Sequence, residues 1–281
     1  MATLMIRPIT AHIGAYIDNR ADELLSGDMP EQLLQALDNY NVLVFPRVGL
    51  SDEQLVSLSG KMGVMEAAKA THDGSSTSGK GIYRIALDKD DKTQLDYVKG
   101  NDYWHMDGMN YSVPGKGTLL KCENPPSKGG ETEFANLYAA YAALPEEKKV
   151  RLSHLCVEHC LSAVGRKLYA APTADDFARW DAVFPETEHP LVWKQRDEKA
   201  SLLIGSTANR IVGMSDTESD ALLQELLDWC TQPAFTYRHS WSRGDLVIFN
   251  NPGLLHRSLP YTADSGRLMH RATLKGYESI A

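Results

Sequence analysis

The stretch Asn101-Asp-Tyr-Trp-His-Met-Asp107 places an imidazole and a carboxylate two residues apart, at His105 and Asp107. In a β-strand, residues i and i+2 project from the same face, so both side chains can bind one cation. This pair of ligands suits Fe(II), and one distant histidine would complete a two-histidine, one-carboxylate triad with open coordination positions. A His-x-Asp pattern alone is common by chance. The stretch therefore predicts a β-strand that is only a candidate for metal binding.

Short apolar runs elsewhere in the chain indicate further β-strands. The run NVLVFP at 41–46 is rich in β-branched residues and ends at a proline, as a buried strand does. Other strand candidates lie at 82–87, 117–122, 201–205, 235–241 and 245–250. The last of these follows Arg243-Gly244 and is typical of a hairpin strand.

Helix signals lie before and between these strands. Capping-box sequences predict helix starts at Ser51-Asp-Glu-Gln54 and Ser215-Asp-Thr-Glu218. A third helical region covers 138–155, where Pro145 suits the first turn of a second segment. We therefore expect a mostly β fold with flanking helices and a β-sandwich or jelly-roll core. A doubly wound parallel sheet is disfavoured, because no glycine-rich phosphate loop follows a strand.

Composition and charge narrow the class of protein. The chain has 281 residues, of which 43% are hydrophobic and 23% charged, as in ordinary globular proteins. Its net charge of −8, without a cluster of Lys and Arg, disfavours nucleic acid or an anionic membrane as partner. We see neither a secretory signal nor an apolar run long enough to span a membrane, so we expect a cytoplasmic protein.

Domain organisation follows from what the chain lacks. Without an internal repeat or a long linker, we expect a single domain over 1–281, with a helical insertion around 138–185. In a strand, Cys156 and Cys160 would lie about 13 Å apart, too far to share zinc with His159. We expect the cysteines to be inert and a structural or surface role for the histidines His154, His159, His189, His239 and His270.

A second group of polar residues lies near the C-terminus. His256 follows the strand predicted at 245–250, and Arg267 and Arg271 come shortly after it. The two arginines share a parity, so in a strand both guanidinium groups would face one side and hold two anions, or one ligand at both ends. Considered alone, the arginines are explained better by surface ion pairs with Asp264 or other acids.

Taken together, in this order and spacing, these stretches resemble the taurine dioxygenase family of 2-oxoglutarate-dependent oxygenases. The likeness runs from about Val42 to Gly276 and rests on Asn101–Asp107, Gly129-Gly-Glu-Thr132, the run 244–256 and Arg267-Leu-Met-His-Arg271-Ala-Thr. The combination is far more specific than any one of its pieces. It implies a double-stranded β-helix, or jelly-roll, core.

The resemblance also implies a catalytic centre. His105, Asp107 and His256 would bind Fe(II), and Thr132 and Arg267 would bind the distal carboxylate of the cosubstrate 2-oxoglutarate. Such an enzyme uses O₂ and 2-oxoglutarate to hydroxylate an aliphatic C–H bond and releases succinate and CO₂.

Substrate contacts follow from the same resemblance. Arg271 would face an anionic group, Asn101 would lie beside the substrate, and His72 would be the counterpart of a substrate-binding histidine. The expected substrate is a small organic anion resembling an aryloxyalkanoate, a sulfonate or a carboxylate. Since relatives are commonly dimers or tetramers, we expect a homodimer or homotetramer.

Two stretches depart from the family pattern. Phe249-Asn-Asn-Pro252 stands where relatives often have Trp-Asp-Asn-Arg, which leaves the conformation of the loop before His256 open. Thr207-Ala-Asn209 stands where relatives often carry an aromatic residue near the substrate, so the pocket is expected to differ from that of the taurine enzyme.

Two other functions use the same three candidate ligands. A zinc-dependent hydrolase is the main alternative, because two histidines and a carboxylate also hold zinc. Thr132 and Arg267 disfavour it, since a hydrolase would not need contacts for a dicarboxylate. A binding protein without activity is the third reading, and the intact triad disfavours it.

Overall fold

In the computed structural model, which describes residues 3–66, 81–87, 96 and 98–281, short strands alternate with helices along the chain. The strands are β1 (Ile6–Pro8), β2 (Ala15–Ile17), β3 (Val42–Phe45), β4 (Tyr83–Ala86), β5 (Gly117–Asn124), β6 (Thr132–Asn136), β7 (Cys156–His159), β8 (Thr187–Pro190), β9 (Val192–Lys194), β10 (Ala200–Leu202), β11 (Ala208–Ile211), β12 (Thr236–His239), β13 (Leu246–Asn250), β14 (Leu254–Ser258) and β15 (Leu268–Leu274). The helices are α1 (Ala21–Leu24), α2 (Met29–Tyr40), α3 (Asp52–Met62), α4 (Leu137–Ala142), α5 (Glu146–Leu152), α6 (Leu161–Leu168), α7 (Ala174–Val183) and α8 (Asp216–Cys230).

The main sheet has seven strands in the order β1-β2-β3-β13-β5-β15-β4. Its central strand β13 pairs antiparallel with β3 and β5, so that Val247 faces Val44 on one side and Leu120 on the other. Every residue of β13 is buried, because the strand has neighbours on both edges and side chains packed on both faces. Leucines of α2 and α3 cover one of these faces and make a continuous apolar core with the sheet.

A smaller sheet, in the order β12-β6-β14, lies over the other face of the main sheet. Phe134 of β6 and Phe249 of β13 meet between the two sheets, with ring centroids 5.3 Å apart. The two sheets enclose an apolar layer that also includes Trp241 and Met269. The predicted mostly β fold with flanking helices and a jelly-roll core is confirmed.

A third apolar core lies under the helices that follow β6. It joins α4 and α8 to the strands β7 and β10 through residues such as Ala140, Val157, Leu202 and Leu226. The region predicted as a helical insertion holds α4 to α7, and it also contains the strand β7. None of the helices among the described residues combines the length and apolar character that crossing a bilayer demands.

Local predictions mostly agree with the observed elements. The Ser51 and Ser215 side chains each accept the backbone N–H three residues later and close the predicted capping boxes of α3 and α8. Pro145 is the N-cap of α5. Its backbone is extended and not helical, so it lies just before the first turn.

The predicted hairpin at β13 is wrong. β12 pairs with β6 in the smaller sheet, whereas β13 pairs with β3 and β5 in the main sheet. Between them the Asp245 carboxylate accepts the backbone N–H groups of Ser242 and Arg47 and lies 3.1 Å from His239 Nε2. These contacts hold a crossing between the sheets where the sequence suggested a simple turn.

Candidate metal centre

The two histidines predicted as metal ligands are neighbours across a short backbone bridge. The His105 N–H donates to the His256 carbonyl at 3.0 Å, and the His256 N–H donates to the His105 carbonyl at 2.9 Å. Their ring centroids lie 4.1 Å apart. His256 is carried by β14, whereas His105 belongs to no strand beyond this isolated bridge. Gly205 packs closely against this backbone, since a Cβ there would lie 2.9 Å from the Trp104 carbonyl oxygen and 3.2 Å from His105 Cα.

Asp107 reaches the same point from a turn. The expected strand over His105–Asp107 is therefore wrong, although its consequence, a shared side for both residues, holds. The Asn251 side chain takes the place of a strand partner: its Oδ1 accepts the Asp107 N–H at 3.0 Å and its Nδ2 donates to the Asp107 carbonyl at 2.9 Å.

The three side chains converge with spacing that fits a shared cation. Asp107 Oδ1 lies 3.9 Å from His105 Nε2, and Asp107 Oδ2 lies 3.9 Å from His256 Nε2. Both separations exceed hydrogen-bond length. One ligand atom from each residue lies within 4.8 Å of the others. The geometry thus matches a divalent ion bound by two imidazoles and one carboxylate.

Protonation also favours metal binding. His105 Nδ1 lies 2.8 Å from the Tyr103 carbonyl oxygen, which can only accept, so Nδ1 carries a proton and Nε2 is the ring nitrogen nearest Asp107. Burial, together with the nearby His105 and Arg271, lowers the pKa of His256 to about 3 against the opposing effect of Asp107. A neutral imidazole is the form that binds a metal ion.

The carboxylate is ionised for a different reason. Burial raises the pKa of Asp107, but the interactions with His256, Arg271 and His105 together lower it more, so the pKa falls below its ordinary value. In addition, His256 Nδ1 is buried and has no hydrogen-bond partner among the described residues.

The predicted cosubstrate residues lie at the edge of the smaller sheet. Thr132 is the first residue of β6, and its buried Oγ1 accepts a hydrogen bond of 2.9 Å from Trp241 Nε1. Arg267 is 6% exposed and its guanidinium lies 4.7 Å from the centre of the Tyr261 ring. Gly130, the second glycine of the Gly-Gly-Glu-Thr motif, has a φ of +69°, and a Cβ there would lie 2.7 Å from Pro126 Cγ and 3.1 Å from Arg267 Cδ, so a side chain is disfavoured at this position.

Arg271 lies on the side of the main sheet that faces the candidate ligands. Its Nη1 is 3.7 Å from Asp107 Oδ2, and its guanidinium lies 5.2 Å from the centre of the Tyr83 ring on β4. Arg267 precedes β15, and the register shifts between Leu268 and Met269, so strand parity alone does not relate the two arginines. The predicted opposite orientation of His270 is confirmed by its contact with Asp52, at 2.8 Å.

The remaining predicted residues have different outcomes. Asn101 lies in the turn before the bridge, and its carbonyl accepts the Ser258 N–H at 2.8 Å, two residues beyond His256. His72 lies outside the described residues. His159, expected to be structural, is buried, with Nδ1 2.9 Å from Thr207 Oγ1 and Nε2 3.2 Å from the Leu203 carbonyl oxygen.

Several residues of the site were missed by sequence reasoning. Asn251 is the position at which Phe249-Asn-Asn-Pro252 agrees with the Trp-Asp-Asn-Arg of relatives, and that agreement was the signal for it. Trp241 ends the predicted strand 235–241, and Tyr83 lies within 82–87, but neither pattern indicates a contact with Thr132 or Arg271.

Comparison with known proteins agrees with this geometry. The family model described as taurine catabolism dioxygenase TauD, TfdA family matches residues 5–273. The (S)-phenoxypropionate/alpha-ketoglutarate-dioxygenase of Sphingobium herbicidovorans is 33% identical over 276 residues, which cover 96% of this chain and 94% of the relative. The alpha-ketoglutarate-dependent 2,4-dichlorophenoxyacetate dioxygenase of Cupriavidus pinatubonensis is 30% identical, over 89% of this chain and 90% of the relative.

A solved structure gives the same answer for the fold. The crystal structure of AAD-2 in complex with Mn(II) and N-oxalylglycine is 29% identical and superposes with a TM-score of 0.82, over 99% of this chain and 100% of that one. These relatives decide against the hydrolase and the inactive binding protein that the sequence left open. The chain belongs to the taurine catabolism dioxygenase TauD, TfdA family and is an α-ketoglutarate-dependent dioxygenase.

Proposed function

We propose that this chain hydroxylates an aliphatic C–H bond of a small organic anion, with an aryloxyalkanoate as the favoured substrate class. The observation that carries the proposal is the convergence of His105, Asp107 and His256 beside the Arg271 guanidinium, which lies 3.7 Å from Asp107. In the overall reaction the substrate, O₂ and 2-oxoglutarate become the hydroxylated product, succinate and CO₂.

The donor set fits Fe(II). Nε2 of His105, Nε2 of His256 and one carboxylate oxygen of Asp107 would hold the ion. Fe(II) bound there supplies the redox chemistry that couples O₂ to 2-oxoglutarate. The protein keeps the His256 imidazole neutral and the Asp107 carboxylate ionised, which are the forms that bind a divalent ion.

Arg267 and Thr132 are proposed to bind the distal carboxylate of 2-oxoglutarate. A guanidinium binds a carboxylate through two parallel N–H groups, and the burial of Arg267 strengthens such a pair by excluding water. The Thr132 oxygen already accepts the Trp241 N–H, so its own O–H proton remains available for donation to an anion.

Arg271 is proposed to anchor the substrate, and its position restricts which substrates fit. Because the guanidinium touches Asp107, the anionic group of the substrate and the attacked carbon must lie close together. In an aryloxyalkanoate the C–H bond sits on the carbon between the carboxylate and the ether oxygen. The curated relatives are dioxygenases for phenoxypropionate and 2,4-dichlorophenoxyacetate, which supports this class.

Hydroxylation at such a carbon would lead to cleavage of the ether. The hydroxyl and the aryloxy group would share one carbon, and loss of the hydroxyl proton with departure of the phenol leaves a carbonyl group. An aryloxyacetate would thus give a phenol and glyoxylate. The role of the chain is to orient the C–H bond and to exclude water from the site.

Two measurements test the proposal. Anaerobic titration of the Fe(II) protein with 2-oxoglutarate should give the weak visible charge-transfer band of the chelate, and His105→Ala should abolish it. A panel of aryloxyalkanoates, sulfonates, alkyl sulfates and carboxylates, scored by succinate formed above the uncoupled background, should identify the class. Arg271→Ala should abolish turnover of the best anion while the band persists; unchanged turnover would exclude the anchor role.

Asn101 and His72 stay predicted substrate contacts, and alanine variants assayed with the same panel would test them. The expected single domain over 1–281 and the expected homodimer or homotetramer also stay predictions. Limited proteolysis would test the first, and light scattering coupled to size-exclusion chromatography the second.

A further inference from the structure

The Asn251 side chain is buried, and it makes three hydrogen bonds with the segment that carries Asp107. It is 1% exposed. Oδ1 accepts the Asp107 N–H at 3.0 Å, and Nδ2 donates to the carbonyls of Asp107 and Gly115 at 2.9 and 3.1 Å. The orientation of the amide follows from the chemistry, since a backbone N–H can only donate and a carbonyl can only accept.

These hydrogen bonds replace a strand partner. An adjacent strand would satisfy the N–H and the carbonyl of one residue in this way, but no strand of the described residues pairs with Asp107. Without Asn251, both backbone groups would lose their partners in a partly buried turn, and the segment 107–116 would be free to shift. The Asn251 N–H also donates to the Lys116 carbonyl at 3.1 Å, so one residue ties both ends of this segment.

The position of Asn251 couples two of the candidate ligands. It opens the short 3₁₀ turn Asn251–Gly253, which joins β13 to β14, and His256 lies on β14 just beyond that turn. One turn therefore supports Asp107 through a side chain and leads directly into the strand that carries His256.

We propose that Asn251 is a positioning residue that sets the distance between the Asp107 carboxylate and the two imidazoles. The inference rests on the proposed role of Asp107 as a metal ligand and adds what fixes it in place. Partners that orient a metal ligand through hydrogen bonds typically change metal affinity by about 10- to 100-fold when removed.

Asn250 supplies a matched control. It is the preceding residue, is also 1% exposed, and donates from Nδ2 to Asn41 Oδ1 at 2.9 Å. This hydrogen bond does not involve the segment that carries Asp107, so Asn250→Ala removes a buried amide of the same kind and leaves the Asn251 hydrogen bonds in place.

The experiment titrates apoprotein with Mn(II), in the presence and absence of 2-oxoglutarate, and follows free Mn(II) by electron paramagnetic resonance. Asn251→Ala should weaken Mn(II) binding about 10- to 100-fold. Asn250→Ala should leave the dissociation constant within about twofold while lowering the unfolding temperature. The visible spectrum of the Co(II) protein should change in intensity for Asn251→Ala only, because it reports ligand geometry.

Equal Mn(II) affinity and equal Co(II) spectra in both variants would overturn the inference. If Asn251→Ala does not fold, Asn251→Ser, which keeps one polar group, takes its place. Failure of both to fold alongside a folded Asn250→Ala would assign Asn251 a purely structural role and would also overturn it. Wild-type protein that binds no Mn(II) would instead reject the proposed function.

Discussion

Two groups of imidazole and carboxylate side chains lie on opposite faces of the main sheet, and only one has the character of a metal site. The inner cluster is His105, Asp107 and His256, and the outer cluster is Asp52, Glu123 and His270. Consecutive residues of β15, His270 and Arg271, point to the outer and inner cluster respectively. In each cluster the ligand atoms lie within 4.8 Å of one another, so ligand type and proximity do not distinguish them.

The clusters differ in how closely a cation approaches their carboxylates, since Arg271 stays 3.7 Å from Asp107 in the inner cluster whereas an ammonium group makes hydrogen bonds in the outer one. Lys121 Nζ lies 2.6 Å from Asp52 and 2.5 Å from Glu123, and it also donates to the Leu50 carbonyl. His270 Nδ1 completes the network at 2.8 Å from Asp52. The outer cluster is thus closed by hydrogen bonds, which join α3 to the sheet. In the inner cluster the corresponding distances are 3.9 Å, beyond hydrogen-bond length.

The largest expected effect tests the inner cluster against the outer one. Asp107→Ala should weaken Fe(II) and Mn(II) binding by more than about 100-fold, because loss of a ligand exceeds loss of a ligand's hydrogen-bond partner. Asp52→Ala should leave metal affinity within about twofold and should lower the free energy of unfolding. Metal titration and denaturant unfolding of both variants provide the measurement. Equal metal affinities would refute the distinction between the clusters.

The second prediction turns the outer cluster into a candidate metal site. Lys121→Met leaves Asp52 and Glu123 without their cation, and we expect a loss of about 3 kcal/mol in the free energy of unfolding, the low end for a broken buried pair because both acids are partly exposed. Mn(II) should then stabilise the variant, since three oxygen and nitrogen ligands remain. Thermal unfolding with and without Mn(II) measures this. Lys116→Met is the control, because Lys116 contacts Asp38 outside both clusters.

The third prediction uses a buried histidine that belongs to neither cluster. Burial and the neighbouring His189 lower the pKa of His159 to about 3, although the hydrogen bond to the Leu203 carbonyl acts to raise it. Unfolding restores an ordinary pKa near 6.5, so the unfolded state binds the proton first as pH falls. His159 therefore contributes stability that is complete above about pH 6.5 and is lost progressively toward pH 3, about 2 kcal/mol of it between pH 8 and pH 5.

Urea unfolding of wild type and His159→Asn at pH 8 and pH 5 tests this contribution. The variant should show a pH dependence smaller by about 2 kcal/mol. The same dependence in both proteins would mean that other groups control acid sensitivity. His154→Asn is the control, because His154 is exposed at the surface.

The smallest expected effect lies beside the inner cluster. Trp241→Phe removes the indole N–H that donates to Thr132 Oγ1 and leaves an apolar ring in its place. The Thr132 hydroxyl would no longer be held with its proton toward the ligand, and 2-oxoglutarate should bind about fivefold more weakly, or about 1 kcal/mol. The charge-transfer titration measures this constant. Trp229→Phe is the control, since its indole donates to the Ala140 carbonyl away from the site.

Sequence reasoning reached the fold and the candidate ligands, but its local structure was incomplete. Strand periodicity suggested that His105 and Asp107 share a side, and they do, yet Asp107 is held by the Asn251 amide and not by a strand. The Arg243-Gly244 sequence before a strand is typical of a hairpin turn. In the structure the chain instead passes from one sheet to the other at this point, and the Asp245 carboxylate stabilises that passage. Such contacts join residues up to 198 positions apart and leave no local pattern.

The sequence by itself determined the kinds of ligand, their order along the chain and the mostly β class, because coordination chemistry selects side chains and strand periodicity selects faces. Only the tertiary structure decided which cluster of imidazoles and carboxylates is closed by hydrogen bonds and which stays a candidate metal site. The difference depends on one further residue beside each carboxylate. Lys121 lies beside Asp52 because β5 pairs within the main sheet, and Asn251 lies beside Asp107 because of the turn before β14. Sheet register sets both encounters, and register is a property of the whole fold.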